Sequence, residues 1–495
     1  MDSPILSSAQ MREAEEATFA RGVTAETLME QAGAGIARFV RRFFPAPGSC
    51  LVFAGKGHNG GDALVAARHL KQAGWSIDLR MAYPEDDCSP LTRKHAEALR
   101  SISRPGNGAT TSEHIVILDG LLGLGSQSML REPIRARAKE INQLRKSQNA
   151  FVVAVDLPTG LNGDTGETDP EDCVIADFTV TIGCAKHGLI VDSSLDLVGR
   201  IEVVPLPDLA VPESGVNEVL ACPASLQSLL PRRAVSAYKN QFGRIGILAG
   251  SEGTLGAAIM TTEGALRAGG GLVELFVPRD LYSLVAPMAP AESMVRPFRA
   301  MKDLIEQPVD VWAIGPGLGT DRASDILRMI DQSPRPMVID ADAINVLSER
   351  LDILKRAPAP RLLTPHPGEM KRLVDSGRMS RAGIVRNFCE QYPVTLLLKG
   401  SRTIVAERTK PLSYNSTGNP GMATGGMGDV LTGVCAGLAG RGLSLYDAGR
   451  IGAWACGRAA EISIFNTGAS EESLLPRDVL ANLGKAFNEL REPIV

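Results

Sequence analysis

The 495-residue sequence has eight cysteines but no CxxC, no run of about 18 apolar residues, and a formal net charge of only −4. Each shortage removes a class of function. Without paired cysteine spacing there is no zinc-ribbon signature, and cysteines set in apolar runs such as LTGVCAGLAG are expected to be buried, reduced thiols rather than a disulfide frame. Without a long apolar run no transmembrane helix is expected. The opening MDSPILSSAQMREAEEA lacks a basic segment leading into an apolar core, so no secretory signal is expected and the chain is read as cytoplasmic. The near-neutral charge gives no pull toward nucleic acid or an anionic membrane, and RKSQ (145–148) and PRR (231–233) read as solvated surface.

With 44% apolar and 22% charged residues, the chain is too apolar for long disorder, and its length calls for two hydrophobic cores rather than one. SSAQMREAEEATFA has Gln10 three residues after Ser7, the spacing of a capped surface helix, and LMEQAGAGIARFVRRFF continues as a second helix. The period then changes. SCLVFAG (49–55), WSIDLRMA (75–82), HIVILDG (114–120) and AFVVAVDLPTG (150–160) read as strands and strand ends alternating with helices such as ALVAARHLKQAG, after the turn GKGHNGGD. Such alternation implies a parallel sheet with helices on both faces. From Val204 the sequence becomes proline-rich and aperiodic, VVPLPDLAVPESGVNEVLACPASLQSLLPRR, and the boundary is placed at 208–222, giving domains 1–213 and 222–495. The second domain has its own succession: GRIGILAG (243–250), LVELFVP (272–278), VDVWAIGPGLG (309–319), PMVIDADAINVL (336–347), RLLTPHPGE (361–369), VTLLLKG (394–400) and RTIVAE (402–407). No short repeat period is evident, so two different α/β domains are expected.

In the first domain, Gly55, Gly57 and Gly60 match G-x-G-x-x-G and Asp78 follows about twenty residues on, so a dinucleotide site is one reading. Against it, Asp78 lies in the middle of a strand rather than at a carboxyl end, and Asp62, on the first helical turn, would face the pyrophosphate. The other reading gathers oxygen-bearing side chains at successive strand ends: Asn59 and Asp62, then Asp119, then Asp156 and Thr159. Such a set could hold a hard cation while one carboxylate serves as acid and base. Asp62 as a helix cap and Asp119 as a turn closer are the structural alternatives. Asp156, ending a strand of Phe, Val and Ala, needs a partner or a task.

QMREAEEATFARGVTAETLMEQAG, AGKGHNGGDALVAARHL and VDLPTGLNGDTG together resemble the NAD(P)HX epimerase domain of bifunctional NAD(P)H-hydrate repair enzymes, over residues 5–205. The resemblance implies a Rossmann-like three-layer α/β/α fold and a potassium ion on Asn59, Asp119 and Thr159. It also implies a substrate pocket lined by His58, Asn59, Gly60, Gly61 and Asp62 and by Gly123, Leu124, Gly125, Ser126, Gln127, Ser128 and Met129, with Asp156 as catalytic acid/base. His58 stands where the family usually has asparagine, and Ala63 where it often has glycine.

GNPGMATGGMGDVLTG (418–433) is a glycine-rich loop running into a helix, an arrangement that offers backbone N–H groups to an anion. The lone acid Asp429 repels what such a loop attracts unless it is placed to take a proton. In fixed order with YKNQFGRIGILAGSEGTLGAAIMTTEGALRAGGGLVEL, GPGLG, DADAINVL, LTPHPGEM and KGSRTIV, this stretch resembles the ADP- or ATP-dependent NAD(P)HX dehydratase, a ribokinase-like α/β fold, over 238–495. The resemblance implies that Gly425, Gly426 and Gly428 form an anion hole and that Asp429 takes the substrate hydroxyl proton. Lys399, Gly400, Ser401, Arg402 and Thr403 would bind the nucleotide, and Gly256, Ala257, Gly317 and His366 would face the hydrated nicotinamide. Met427 replaces a small polar residue common in the family. Implied with these are potassium, magnesium, ADP in preference to ATP, the substrates NADHX and NADPHX, and a homo-oligomer. Two other classes of function are an ordinary ribokinase-like small-molecule kinase with a regulatory front domain, and a non-enzymatic front module. The complete set of Asn59, Asp62, Asp119 and Asp156 speaks against the second.

Overall fold

Runs of Val, Ile, Leu and Phe closed by glycine or an acid make the central strands of both halves, as expected for strands covered on both faces. The computed structural model describes residues 3–102, 114–125, 129–169, 171–211, 215–375 and 377–491. Two compact units divide between Val216 and Asn217.

The first unit contains β1 (Ser3–Leu6), β2 (Ser49–Ala54), β3 (Ser76–Met81), β4 (Ile115–Gly120), β5 (Phe151–Val155), β6 (Phe178–Ile182), β7 (Ala185–Lys186) and β8 (Arg200–Val204). Six of them form a parallel sheet in the order β3-β2-β4-β5-β6-β8. β1 pairs in parallel with β7, placing Leu6 opposite Lys186. Asp78 sits on the edge strand β3, where Arg80 Nη2 holds it at 2.8 Å, so the dinucleotide reading loses its ribose-binding acid to an ion pair. The helix expected from Ala63 starts earlier, at His58, and Asp62 therefore lies in its second turn rather than its first. Close packing explains the difference: a Cβ on Gly60 would lie 2.1 Å from Gly55 O, and one on Gly61 2.5 Å from Met29 Sδ. Glycine is a poor helix former, but only glycine lets this turn lie against the strand end. Ser7 and Gln10 form the expected capping box of helix Ser8–Ala20.

The second unit contains β9 (Glu218–Ala221), β10 (Arg244–Leu248), β11 (Leu272–Pro278), β12 (Met294–Phe298), β13 (Val311–Ile314), β14 (Met337–Ile339), β15 (Arg361–Leu363), β16 (Thr395–Leu398), β17 (Ile404–Ala406) and β18 (Leu412–Asn415). Their order is β12-β11-β10-β13-β14-β15-β16-β17-β18-β9, parallel as far as β16, with β17 antiparallel to both neighbours. β9 lies within the proline-rich stretch expected to link the domains; it is instead a strand of this unit, paired along β18.

Helices Leu255–Arg267 and Met427–Gly440 meet along a glycine seam. A Cβ on Gly264 would lie 2.5 Å from Val430 O, one on Gly433 2.0 Å from Thr261 O, and one on Gly437 2.6 Å from Ala265 O. Gly433→Ala is expected to destabilise the chain by about 1–3 kcal/mol, because overpacking outweighs the better helix propensity of alanine. A thermal or denaturant midpoint equal to that of the parent would show that the helices can part freely. All eight cysteines are buried. No described helix is long and apolar enough to cross a membrane.

Candidate active sites

In the first unit the carboxyl ends of β2, β4 and β5 bring Asn59, Asp119, Asp156 and Thr159 to one edge of the sheet, where ligands of open α/β sheets bind. Asp119 is fully buried. Its carboxylate accepts hydrogen bonds from Thr159 Oγ1 (2.7 Å), Thr159 N (2.9 Å) and Leu121 N (3.3 Å). Burial nevertheless raises its pKa to about 6, the hydrogen bonds only partly opposing it. Among the described residues no lysine or arginine pairs with Asp119. Asn59 carries a buried amide nitrogen without a partner. With an orphaned amide on Asn59 and a buried carboxylate lacking a counter-cation among the described residues, Asn59, Asp119 and Thr159 offer side-chain oxygens of the kind a hard cation takes.

Asp156 has φ +68 and stands at the apex of a γ-turn closed by Leu157 N to Val155 O (2.9 Å). This is a strained conformation for a residue with a side chain, and surrounding bonds hold it. Oδ1 accepts from Ile182 N (3.1 Å), from Thr181 Oγ1 (3.3 Å) and from the buried Lys186 Nζ. Oδ2 faces the other way: a Cβ on Gly123 would lie 3.4 Å from it and 3.1 Å from Asn59 Oδ1. Glycine at 123 thus lets the segment after β4 close over both groups. Asp62 and Glu15 complete the pocket, their carboxyl pKa values pushed up first by burial and then by the charge of Asp156.

Of the other residues expected here, His58 is exposed at the helix start, Leu124 O accepts weakly from Arg12 Nη2 (3.4 Å), Gly125 borders open space and Met129 is 79% exposed. Ser126, Gln127 and Ser128 lie outside the described residues.

In the second unit five adjacent parallel strands, β10-β13-β14-β15-β16, deliver Thr254, Gly317, Asp340, His366 and Lys399 in that order at their carboxyl ends. Lys399 Nζ lies 2.7 Å from Asp340 Oδ1 and 3.9 Å from Glu369 Oε2. Burial alone would lower the lysine's pKa; the charges of Asp340 and Glu369 reverse this and raise it. Asp340 Oδ2 accepts from Thr432 Oγ1 (2.7 Å), which ties the helix carrying Asp429 to the end of β14. A Cβ on Gly428 would lie 3.2 Å from Lys399 Nζ and 3.5 Å from Asp340 Oδ2, so this glycine rests on the ion pair. Asp429 has its pKa pushed up to about 6 by burial and then by Asp340, with Lys399 opposing. Gly426, at φ +90, precedes the helix, and no side chain caps the helix N-terminus. Its first N–H groups remain available for an anion beside the open Gly425.

His366 caps helix Pro367–Leu373: its Nδ1 accepts from Gly368 N (2.9 Å) and Glu369 N (3.3 Å), while Glu369 Oε2 accepts from His366 N (2.8 Å). His366, expected to face the nicotinamide, therefore has a structural role as well, and its Nε2, 3.6 Å from Glu369 Oε1, is the ring nitrogen that remains to meet a ligand. Gly317 O accepts from Thr254 Oγ1 (2.7 Å), and a Cβ on Gly317 would lie 3.0 Å from Ala257 Cβ, which brings the Gly256–Ala257 turn and the GPGLG loop together. In the turn after β16, Gly400 and Arg402 take positive φ, and Arg381 donates to Ser401 O (2.6 Å) and Arg402 O (3.3 Å). Thr403 Oγ1 closes the turn on Gly400 O (3.0 Å).

Lys186, Glu15, Asp340, Glu369 and Thr432 were not among the expected site residues. Lys186 does carry a signal, a lone charge in TVTIGCAKHGL, and Glu369 stands at capping-box spacing from His366. Thr432 has none, being one hydroxyl in an apolar helix.

Residues 245–481 match the family described as NAD(P)H-hydrate dehydratase, and residues 25–188 the family described as YjeF-related protein N-terminus. The bifunctional NAD(P)H-hydrate repair enzyme Nnr of Moorella thermoacetica is 34% identical, over 94% of this chain and 93% of its own. The enzyme of the same name from Escherichia coli K12 is 34% identical, over 96% of this chain and 92% of its own. Among solved structures, the ADP/ATP-dependent NAD(P)H-hydrate dehydratase of Bacillus subtilis, co-crystallised with ATP and Mg2+, is 26% identical with a TM-score of 0.49, over 56% of this chain and all of that one. With relatives this similar along nearly the whole of both chains, this chain belongs to the bifunctional NAD(P)H-hydrate repair enzymes and has dehydratase and epimerase activities.

Proposed function

We propose that the two activities are divided between the two units, residues 1–213 epimerising hydrated NAD(P)H through Asp156 and residues 222–495 dehydrating one epimer through Asp429. Hydrated nicotinamide is a carbinolamine. A proton from Asp156 lets its hydroxyl leave as water, the ring nitrogen's lone pair forms an iminium ion, and water returns on either face while Asp156 recovers the proton. In the second unit Asp429 takes the proton of that hydroxyl as its oxygen attacks the terminal phosphoryl group of a nucleotide. The C–O bond to phosphate then breaks as the adjacent carbon gives its proton to solvent, and the C–H electron pair restores the ring double bond. Phosphate is a far better leaving group than hydroxide, which explains the consumption of nucleotide.

The observation that carries this reading is the half-buried Asp429 on an uncapped helix N-terminus, beside a glycine loop and a lysine fixed by Asp340. Gly425, Gly426 and Gly428 would receive the phosphates and the 399–403 turn the rest of the nucleotide, ADP in preference to ATP. Gly256, Ala257, Gly317 and His366 Nε2 would face the nicotinamide. Magnesium fits as the ion accompanying the phosphates, since it takes few carboxylates and keeps its waters. The oxygen set of Asn59, Asp119 and Thr159 fits potassium, which would supply a compensating charge for the buried carboxylate. The chain is further proposed to act in the cytoplasm, as a homo-oligomer, on NADHX and NADPHX.

The decisive experiment supplies an epimeric mixture of hydrated NADH with ADP or ATP and follows the absorbance of the reduced nicotinamide. Full recovery is expected. No recovery with either nucleotide overturns the reading, and a stable phosphorylated product would favour an ordinary small-molecule kinase.

The acid side of the pH profile is also expected to be distinctive. The base must be unprotonated, and burial places the pKa of Asp429 at about 6. The dehydratase kcat/KM should therefore be level at neutral pH and fall about tenfold per unit once the pH drops below that value. A limb near the ordinary carboxylate range would remove Asp429 from the role.

A further inference from the structure

Lys186 is a fully buried lysine that the chemistry above does not use. Its backbone is fixed by the pairing of β7 with β1. Its ammonium donates to Asp156 Oδ1, to Thr181 Oγ1 (3.1 Å) and to Ile182 O (3.1 Å). Three protons meet three acceptors, so none remains for a ligand. Whatever Lys186 does, it does through its neighbours.

The neighbour of consequence is Asp156. Among the described residues every donor to that carboxylate ends on Oδ1: Lys186 Nζ, Ile182 N and Thr181 Oγ1. Oδ2 receives none and faces Gly123 and Asn59. A carboxylate on a strained γ-turn, next to two further acids, Glu15 and Asp62, has every reason to rotate away from them; Arg12 is the other cation near Glu15. Lys186 removes that freedom, and keeping a buried ammonium carries a desolvation cost that packing alone does not require.

We infer that Lys186 is the positioning residue of the epimerase site: by holding Oδ1 it turns Oδ2 of Asp156 into the pocket as the one oxygen that exchanges a proton with the substrate. The inference rests on the role proposed for Asp156. It predicts that the lysine governs turnover rather than binding, and that its effect exists only while Asp156 is a carboxylate.

The test starts from a single epimer of hydrated NADH, with the full chain and no nucleotide, and follows the epimer ratio by chromatography above the spontaneous rate. Lys186→Met should lower kcat about 100-fold, the scale of a misplaced catalytic group, with KM changed less than about threefold. Lys186→Arg, which keeps the charge and its donors, should recover at least tenfold of that loss. Adding Lys186→Met to Asp156→Asn should change the residual kcat less than about twofold. A Lys186→Met kcat within threefold of the parent overturns the inference, as does an undiminished further loss in the Asp156→Asn background. If Lys186→Met does not fold, Lys186→Arg decides: a folded chain must keep at least tenfold more kcat than Asp156→Asn, and anything less overturns the inference. Failure of the underlying reading looks different, because Asp156→Asn would then retain the parental rate.

Discussion

Asp429→Asn is expected to lower nucleotide-dependent recovery of NAD(P)H by about 10²–10⁴-fold, the range over which a general base contributes, while leaving epimer interconversion at the parental rate. Asparagine is nearly isosteric and cannot take the hydroxyl proton. It also removes a negative charge from beside the anion loop, so KM for the nucleotide should stay level or fall rather than rise. That combination, a collapsed kcat with intact nucleotide binding, separates loss of the base from damage to the loop. Measuring both activities on the same preparation provides the control. If dehydration and epimerisation fall together, the division of chemistry between Asp429 and Asp156 is wrong.

Asp156→Asn should produce the reciprocal result, a loss of comparable size, about 10²–10⁴-fold, confined to epimerisation. Asparagine suits the backbone, because Asp156 sits at φ +68 and asparagine is among the few residues that accept positive φ, but it removes the counter-charge of the buried Lys186, so a lower melting midpoint is expected and the assay is run well below it. With nucleotide present, the time course becomes the readout. The epimer that the second unit accepts is repaired at the parental rate, and the other is repaired only as fast as it inverts spontaneously. Recovery should therefore break into a fast and a slow phase. A single fast phase running to completion would show that Asp156 is dispensable, and short incubations keep spontaneous inversion from hiding the break.

How far this arrangement could be read beforehand depended on where each residue's partners lie in the chain. β2, β4 and β5 are apolar runs ending in glycine or acid, so both the strands and the sheet edge carrying Asp119 and Asp156 were legible locally. β12 was not: MVRPF is an edge strand with two exposed residues and a proline, which interrupts any period. β9 and β18 are four residues each, and they become strands by pairing with one another across most of the second unit. The same holds within the sites. The acid Asp429 was conspicuous in its loop, whereas Lys186 gains meaning only when β7 is laid beside β1 and its ammonium reaches back to Asp156. GKGHNGGD, read as a turn, is helical from His58. Gly60 and Gly61 sit inside the helix, where Gly55 O and the Met29 side chain leave no room for a Cβ, and Asp78, already misplaced in mid-strand for a dinucleotide site, is bound to Arg80.

The glycine seam bears on how the dehydratase unit can move. Backbone touches backbone between helices Leu255–Arg267 and Met427–Gly440, and Thr432 anchors the second helix to Asp340. At Gly264, Gly433 and Gly437 no side chain lies between the backbones to compress or reshuffle, so Asp429 is mounted on a fixed rail rather than a hinge. Closure around the nucleotide must then be absorbed before Gly426, in the loop that approaches the helix, while the base stays where the sheet has put it.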